Sequence, residues 1–168
     1  MTIAKCQFWS TIGIAATLLL MTFRAVQMAP ESAVDGLTAF NQGNYAKARA
    51  IWTRLAAKED TEAEWNLGRM YEIGAGVKQD LEKAAVLYRR AALKANPYAL
   101  GNLAVLHATG QGVTQDLVKS YVYSTLAARH YSGWAGDLRD TALRNRDLVA
   151  SRMTEDQLGR AKGQLAEP

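Results

Sequence analysis

The chain has 168 residues, 49% hydrophobic and 21% charged, which suits one compact domain of ordinary globular composition once its apolar first thirty residues are set aside. Its net charge of +4 is spread along the sequence without gathering into a basic stripe, so no nucleic-acid partner is expected. Cys6 is the only cysteine, which rules out an intrachain disulfide and any CxxC metal or redox motif.

Residues 1–29 read as an address. From Phe8 to Phe23 there is no charged residue, Lys5 and the terminal amine supply a positive start, and Arg24 closes the run. That charge order holds the start on the cytoplasmic side and sends the rest across the membrane, which in a Gram-negative cell means the periplasm. Two outcomes stay open. A cut after Ala25 or Ala29 puts Phe23 or Gln27 at the −3 position, where cleavage wants a small residue. Retention as a signal anchor, with residues 8–28 in the bilayer, asks a slightly short apolar run to do the work of the ~20 residues a bilayer requires. The first outcome gives a soluble periplasmic protein. The second gives a single-pass inner-membrane protein with its remaining domain periplasmic.

After Pro30 the pattern turns helical. Residues 30–60 form a degenerate hairpin: one helix ends near Phe40, the turn Asn41-Gln42-Gly43-Asn44 follows, and a second helix starts at Tyr45. Then one statement is made twice. Asn66-Leu67-Gly68-x-x-Tyr71-x-x-Gly74-x-Gly76-Val77-x-Gln79-Asp80-Leu81 returns as Asn102-Leu103-Ala104-x-x-His107-x-x-Gly110-x-Gly112-Val113-x-Gln115-Asp116-Leu117, with every pair 36 positions apart. A period of that size is the mark of stacked helical hairpins. In the first copy Ala63, Leu67, Met70 and Tyr71 make one helical stripe with Trp65 beside it, and Gly74 ends the helix through a left-handed backbone. Asp80 caps a second helix whose stripe runs Leu81, Ala84, Ala85, Leu87, Tyr88, Ala91 and Ala92. In the second copy Ser120 and Ser124 replace Ala84 and Tyr88, which implies a different packing partner. Residues 134–168 lose the period. A helix from Trp134 to Arg152, with Leu138, Ala142, Leu148 and Val149 as its apolar stripe, and a last helix opened by the Thr154-x-x-Gln157 capping box read as the closing cap of the array.

The run Leu67-Gly68-x-x-Tyr71-x-x-Gly74-x-Gly76-Val77-x-Gln79-Asp80, followed by Lys83-Ala84, resembles the Sel-one-like repeat, a relative of the tetratricopeptide repeat with a longer loop. The resemblance covers residues 61–97 and 98–133, and the Gly43-Asn44-Tyr45 turn resembles the tetratricopeptide form. It implies an all-α fold, a short α-solenoid of about three helical hairpins with a C-terminal capping pair, preceded here by the N-terminal hydrophobic helix. It also implies a non-enzymatic adaptor or scaffold. Ala104 for Gly68 and His107 for Tyr71 depart from the pattern.

Chemistry is sparse. His107 and His130 lack carboxylates at ligand spacing, so no metal site is expected, and the paired glycines are turns because no GK[ST] follows them. No GxSxG elbow marks a nucleophile, and no cofactor motif is present. Tyr121, Tyr123, Tyr131 and Trp134 suit a core better than a ligand cage. The candidate site is therefore a partner-binding groove on the stripe beside Ala63, Leu67 and Tyr71: Glu62, Asn66, Arg69 and Ile73, continued one repeat later by Tyr98, Asn102, Val105 and Thr109. Its mixture of amides, one cation and modest apolar surface suits a protein partner, as in an accessory subunit of a membrane complex on the extracytoplasmic side. The alternative function is a periplasmic enzyme or a binder of cell-wall glycan.

Overall fold

A computed structural model describes residues 31–131 and 136–166. The export segment read at residues 1–29 lies outside them, as does Trp134. Among the described residues no helix is long and apolar enough to cross a membrane. The fold is all-α: α1 Ala33–Asn41, α2 Tyr45–Ala56, α3 Thr61–Ile73, α4 Leu81–Ala92, α5 Pro97–Thr109, α6 Leu117–His130, α7 Gly136–Ala150 and α8 Glu155–Ala166. Each helix from α1 to α6 packs on its successor, α1 also touches α3, α5 touches α7, and α8 lies on α6.

The repeated motif is legible as hydrogen bonds. Gly74 and Gly110 end α3 and α5 in left-handed conformation, each amide donating four residues back, to Met70 O and Leu106 O. The glutamine of each Gln-Asp pair donates its amide to an otherwise unpaired carbonyl in the last turn, Gln79 to Glu72 O and Gln115 to Ala108 O, both at 2.8 Å. The aspartate then accepts from the first turn of the next helix, Lys83 N to Asp80 Oδ1 at 2.9 Å and Lys119 N to Asp116 Oδ1 at 3.0 Å. One dipeptide thus closes one helix and opens the next. Asp60 and Asn96, also 36 apart, cap α3 and α5 the same way, at 2.8 and 3.0 Å. At the other end, the Thr154 and Gln157 side chains each bond the other's backbone amide, which is the reciprocal geometry of a capping box.

Burial runs as three successive clusters. Ile51 and Trp52 join Ala63, Leu67 and Met70; Tyr88 joins Ala84, Ala91, Leu103 and Leu106; Leu100 joins Ala127, Ala128 and Ala142. This is how a solenoid shares apolar surface between neighbours instead of pooling it in one centre. Trp52 also donates its indole N–H to Ala33 O at 3.1 Å, which ties α2 to the start of α1. The α7 stripe is narrower than its composition suggested. Ala142 and Val149 are buried, but Leu138 and Leu148 are exposed. Leu148 precedes Val149 by one residue, or about 100° around the helix, so α5 and α6 cannot cover both.

Candidate partner-binding surface

The eight groove residues divide into three groups. Glu62, Ile73, Val105 and Thr109 are exposed. Thr109 turns its hydroxyl back to Val105 O at 2.9 Å. Asn66 is buried, with its amide donated to Glu62 O in its own helix at 2.9 Å, so it serves α3 and offers little to a visitor. Arg69, Tyr98 and Asn102 are half-buried and come together.

They meet around Trp65, whose role spacing alone did not reveal. Tyr98 stacks on the Trp65 ring with centroids 4.7 Å apart, and the Arg69 guanidinium lies 5.1 Å from its centre on α3 itself. The indole N–H donates to Asn102 Oδ1 at 3.1 Å. Asn102 Nδ2 in turn donates to Glu72 Oε2 at 3.1 Å, and Tyr88 OH donates to that same oxygen at 2.5 Å. One chain of bonds therefore runs from α4 through α3 to α5. Its order fixes every donor: Tyr88 and Asn102 give to the carboxylate, and the indole gives to the amide oxygen. Burial first, and then the bond to Glu72, hold the Tyr88 phenol well above the ordinary tyrosine range, so it keeps its proton. Glu72 was missed in the sequence because it is one carboxylate among several on a helix; its signal, a tyrosine sixteen residues on, becomes readable only once α3 and α4 are folded together.

Tyr88→Phe tests this chain. Loss of a hydrogen bond to a charged group should destabilise the fold by about 1.5–3 kcal/mol while α-helical content stays unchanged, read as a lower urea midpoint at constant slope. An unaltered midpoint would show that the bond contributes nothing.

Beyond Asn102 the surface continues into a cleft of about 230 Å³ between α5 and α7, floored by Gly101 and Ala142 and edged by Tyr98, Val105, Leu138 and Asn145. Tyr131 closes it edge-on to Tyr98 at 5.5 Å. The aromatic set weighed as core or cage is thus divided: Tyr131 belongs to this cleft, whereas Tyr123 stacks on His107 at 5.7 Å. His107 is buried, its Nδ1 lies 3.3 Å from Thr114 O, and burial pulls its pKa below the ordinary histidine range, which leaves the imidazole neutral at pH 7. Among the described residues no three His, Cys, Asp or Glu side chains stand together as metal ligands.

Comparison with known proteins agrees with this architecture. Residues 61–96 and 97–132 each match the family model of the Sel1 repeat. Over 47 residues the chain is 43% identical to the ERAD-associated E3 ubiquitin-protein ligase component HRD3 of Candida glabrata, a stretch that is 28% of this chain and 6% of that protein. Among solved structures it is similar to a protective antigen present in uropathogenic Escherichia coli strains and displaying an SLR fold, with TM-score 0.69 and 28% identity over 77% of this chain and 27% of the antigen. A Sel1 repeat protein from Oxalobacter formigenes shares the fold at TM-score 0.58 and 23% identity, over 64% of this chain and 44% of that one. The chain spans less than half the length of each of these relatives. Residues 61–96 and 97–132 are thus two Sel1 repeats, a unit typical of protein–protein interaction modules.

Proposed function

We propose that this protein is a non-enzymatic interaction module, an accessory subunit or adaptor of a membrane-associated complex, held on the extracytoplasmic side of the membrane. The observation that carries the interaction reading is the surface shared by α3, α5 and α7. The Trp65–Tyr98 stack lies beside Asn102 and Arg69, with Ile73 and Val105 exposed at 56% and 43%. Aromatic rings held rigid by their neighbours, an arginine and exposed apolar side chains are the groups that dominate protein interfaces. The location rests on the uncharged run from Phe8 to Phe23 behind Lys5, and accessory membership finds a parallel in the ligase component that a quarter of the chain resembles.

Crosslinking of the native protein in intact membranes, followed by identification of what is joined to it, tests the reading. Arg69→Ala combined with Val105→Asp should lower recovery of the joined protein about tenfold or more, the effect of losing ~1.4 kcal/mol of binding, with helicity unchanged. Equal recovery would remove this face. Protease protection of the repeats in sealed spheroplasts, in the same samples, checks the side of the membrane: full digestion from outside is expected, and protection would overturn the location.

A further inference from the structure

The two repeats differ in that the second lacks a tyrosine. In the first, Tyr88 is fully buried, and its ring lies so close to Gly68 that a Cβ there would sit 2.7 Å from Cε1. Its hydroxyl reaches across to Glu72. One period later Ala104, Ala108 and Ser124 stand at the positions of Gly68, Glu72 and Tyr88, so both the ring and its acceptor are gone. Helices α5, α6 and α7 do not close the gap. A pocket of about 200 Å³ remains, lined by Ala104, Ala108, Ser120, Ser124, Leu148 and Val149. Ser120 is satisfied, donating to Ala104 O at 2.8 Å. Ser124 is not: it is 1% exposed, and its Oγ has no hydrogen-bond partner. A buried hydroxyl without a partner is unfavourable unless something arrives to meet it. The rim is mixed: Leu148 and Val105, exposed at 63% and 43%, line it beside Thr109, Asn145 and Arg152.

We infer that this pocket in the second repeat receives a tyrosine side chain of a partner protein, in the lane that Tyr88 fills in the first repeat. This rests on the interaction reading above and names its anchor. The volume is adequate, because an apolar cavity of about 150 Å³ already holds benzene. The ring enters between Val105 and Leu148 with its hydroxyl inward, the reverse of Tyr88, and that hydroxyl bonds Ser124 Oγ. A buried aromatic side chain seated in a preformed pocket is the usual centre of an interface.

The test uses the chain of 168 residues and p-cresol as the side-chain probe. Saturable methyl chemical-shift changes are expected at Ala104, Ala108 and Val149, with toluene binding roughly fivefold more weakly for want of one hydrogen bond. Ser124→Ala should bring the two probes to nearly equal affinity. Ala104→Gly with Ser124→Tyr transplants the first repeat's pair and should abolish binding while the chain stays helical. Ser124→Leu is a second plug with the same expected loss. Absence of saturable shifts in the wild type, or binding that survives in either folded plug variant, overturns the pocket. In the membrane crosslinking experiment the plugs should lower recovery of the joined protein as well. Undiminished recovery would overturn the anchor and leave the interaction reading standing. If the wild type captures nothing, the interaction reading falls and with it the partner's tyrosine, whereas p-cresol still decides whether the pocket takes a phenol.

Discussion

Gly112→Ala should destabilise the protein by about 2–5 kcal/mol, a sum of the ~1–2 kcal/mol that a side chain pays in left-handed backbone and the ~1–3 kcal/mol of overpacking. Gly112 has φ +67°, and a Cβ placed on it would stand 2.4 Å from the Leu81 carbonyl carbon, a backbone atom that cannot swing away. The same contact occurs one period earlier, where a Cβ on Gly76 would stand 2.3 Å from Tyr45 Cβ. Each loop therefore rests on the first residue of the preceding hairpin's second helix, and the second glycine of Gly-x-Gly is where one repeat touches the one before it. Gly110→Ala is the control. It shares a positive φ of +75°, but its nearest foreign atom would be Gln115 Cβ at 3.2 Å, so it should lose only the backbone share, about 1–2 kcal/mol. In a solenoid the interface between repeats carries cooperativity as well as stability. Gly112→Ala should therefore also broaden the urea transition, while Gly110→Ala shifts the midpoint at constant slope. Equal losses in the two variants would refute the stacking role.

These contacts mark how far the residues alone could be read. The 36-residue period located the hairpins because each copy repeats its own punctuation, a glycine end and an aspartate cap, and local chemistry of that kind needs no tertiary context. It stayed silent at Glu59 and Ala95, which take φ of 61° and 59° between hairpins although neither is glycine or asparagine. There the preceding helix imposes the backbone, because the left-handed turn lets Asp60 N donate to Leu55 O and Asn96 N to Ala91 O, both at 3.2 Å, and so closes its last turn. The groove was less legible than the fold. A stripe argument assigns a helix one buried face, but α3 touches α1, α2, α4 and, through side chains, α5. Burial therefore wraps around it to take in Glu64, Asn66 and Gly68 as well as Ala63, Leu67 and Met70. Asn66 was lost from the groove for that reason, and Trp65 and Glu72 entered its neighbourhood. The change from Tyr88 to Ser124 was visible as a substitution, but whether other side chains refill the space is a question only packing answers.

Arg90→Met should cost about 3 kcal/mol, and the double variant Glu64→Met/Arg90→Met should return to within about 1 kcal/mol of the wild type. Glu64 is 1% exposed inside α3, and its Oε1 lies 2.7 Å from Arg90 Nη2, while its Oε2 has no partner. Arg90 reaches it from α4 and also donates to Ala56 O, at the end of α2, at 2.9 Å. Three helices from two successive hairpins thus meet at one ion pair. Removing the guanidinium alone leaves a buried carboxylate with nothing to balance it, and the half-exposed position of Arg90 keeps the loss near the lower end for such pairs, because water can follow into the space. Removing both charges deletes the desolvation cost together with the attraction, and two methionine side chains can fill the gap with flexible apolar volume. The opposite signs of the second step and the first are what a double-mutant cycle in urea would read. If the double variant is as unstable as Arg90→Met, the carboxylate is not the source of the penalty, and the guanidinium's bond to Ala56 O must be holding the hairpins together instead.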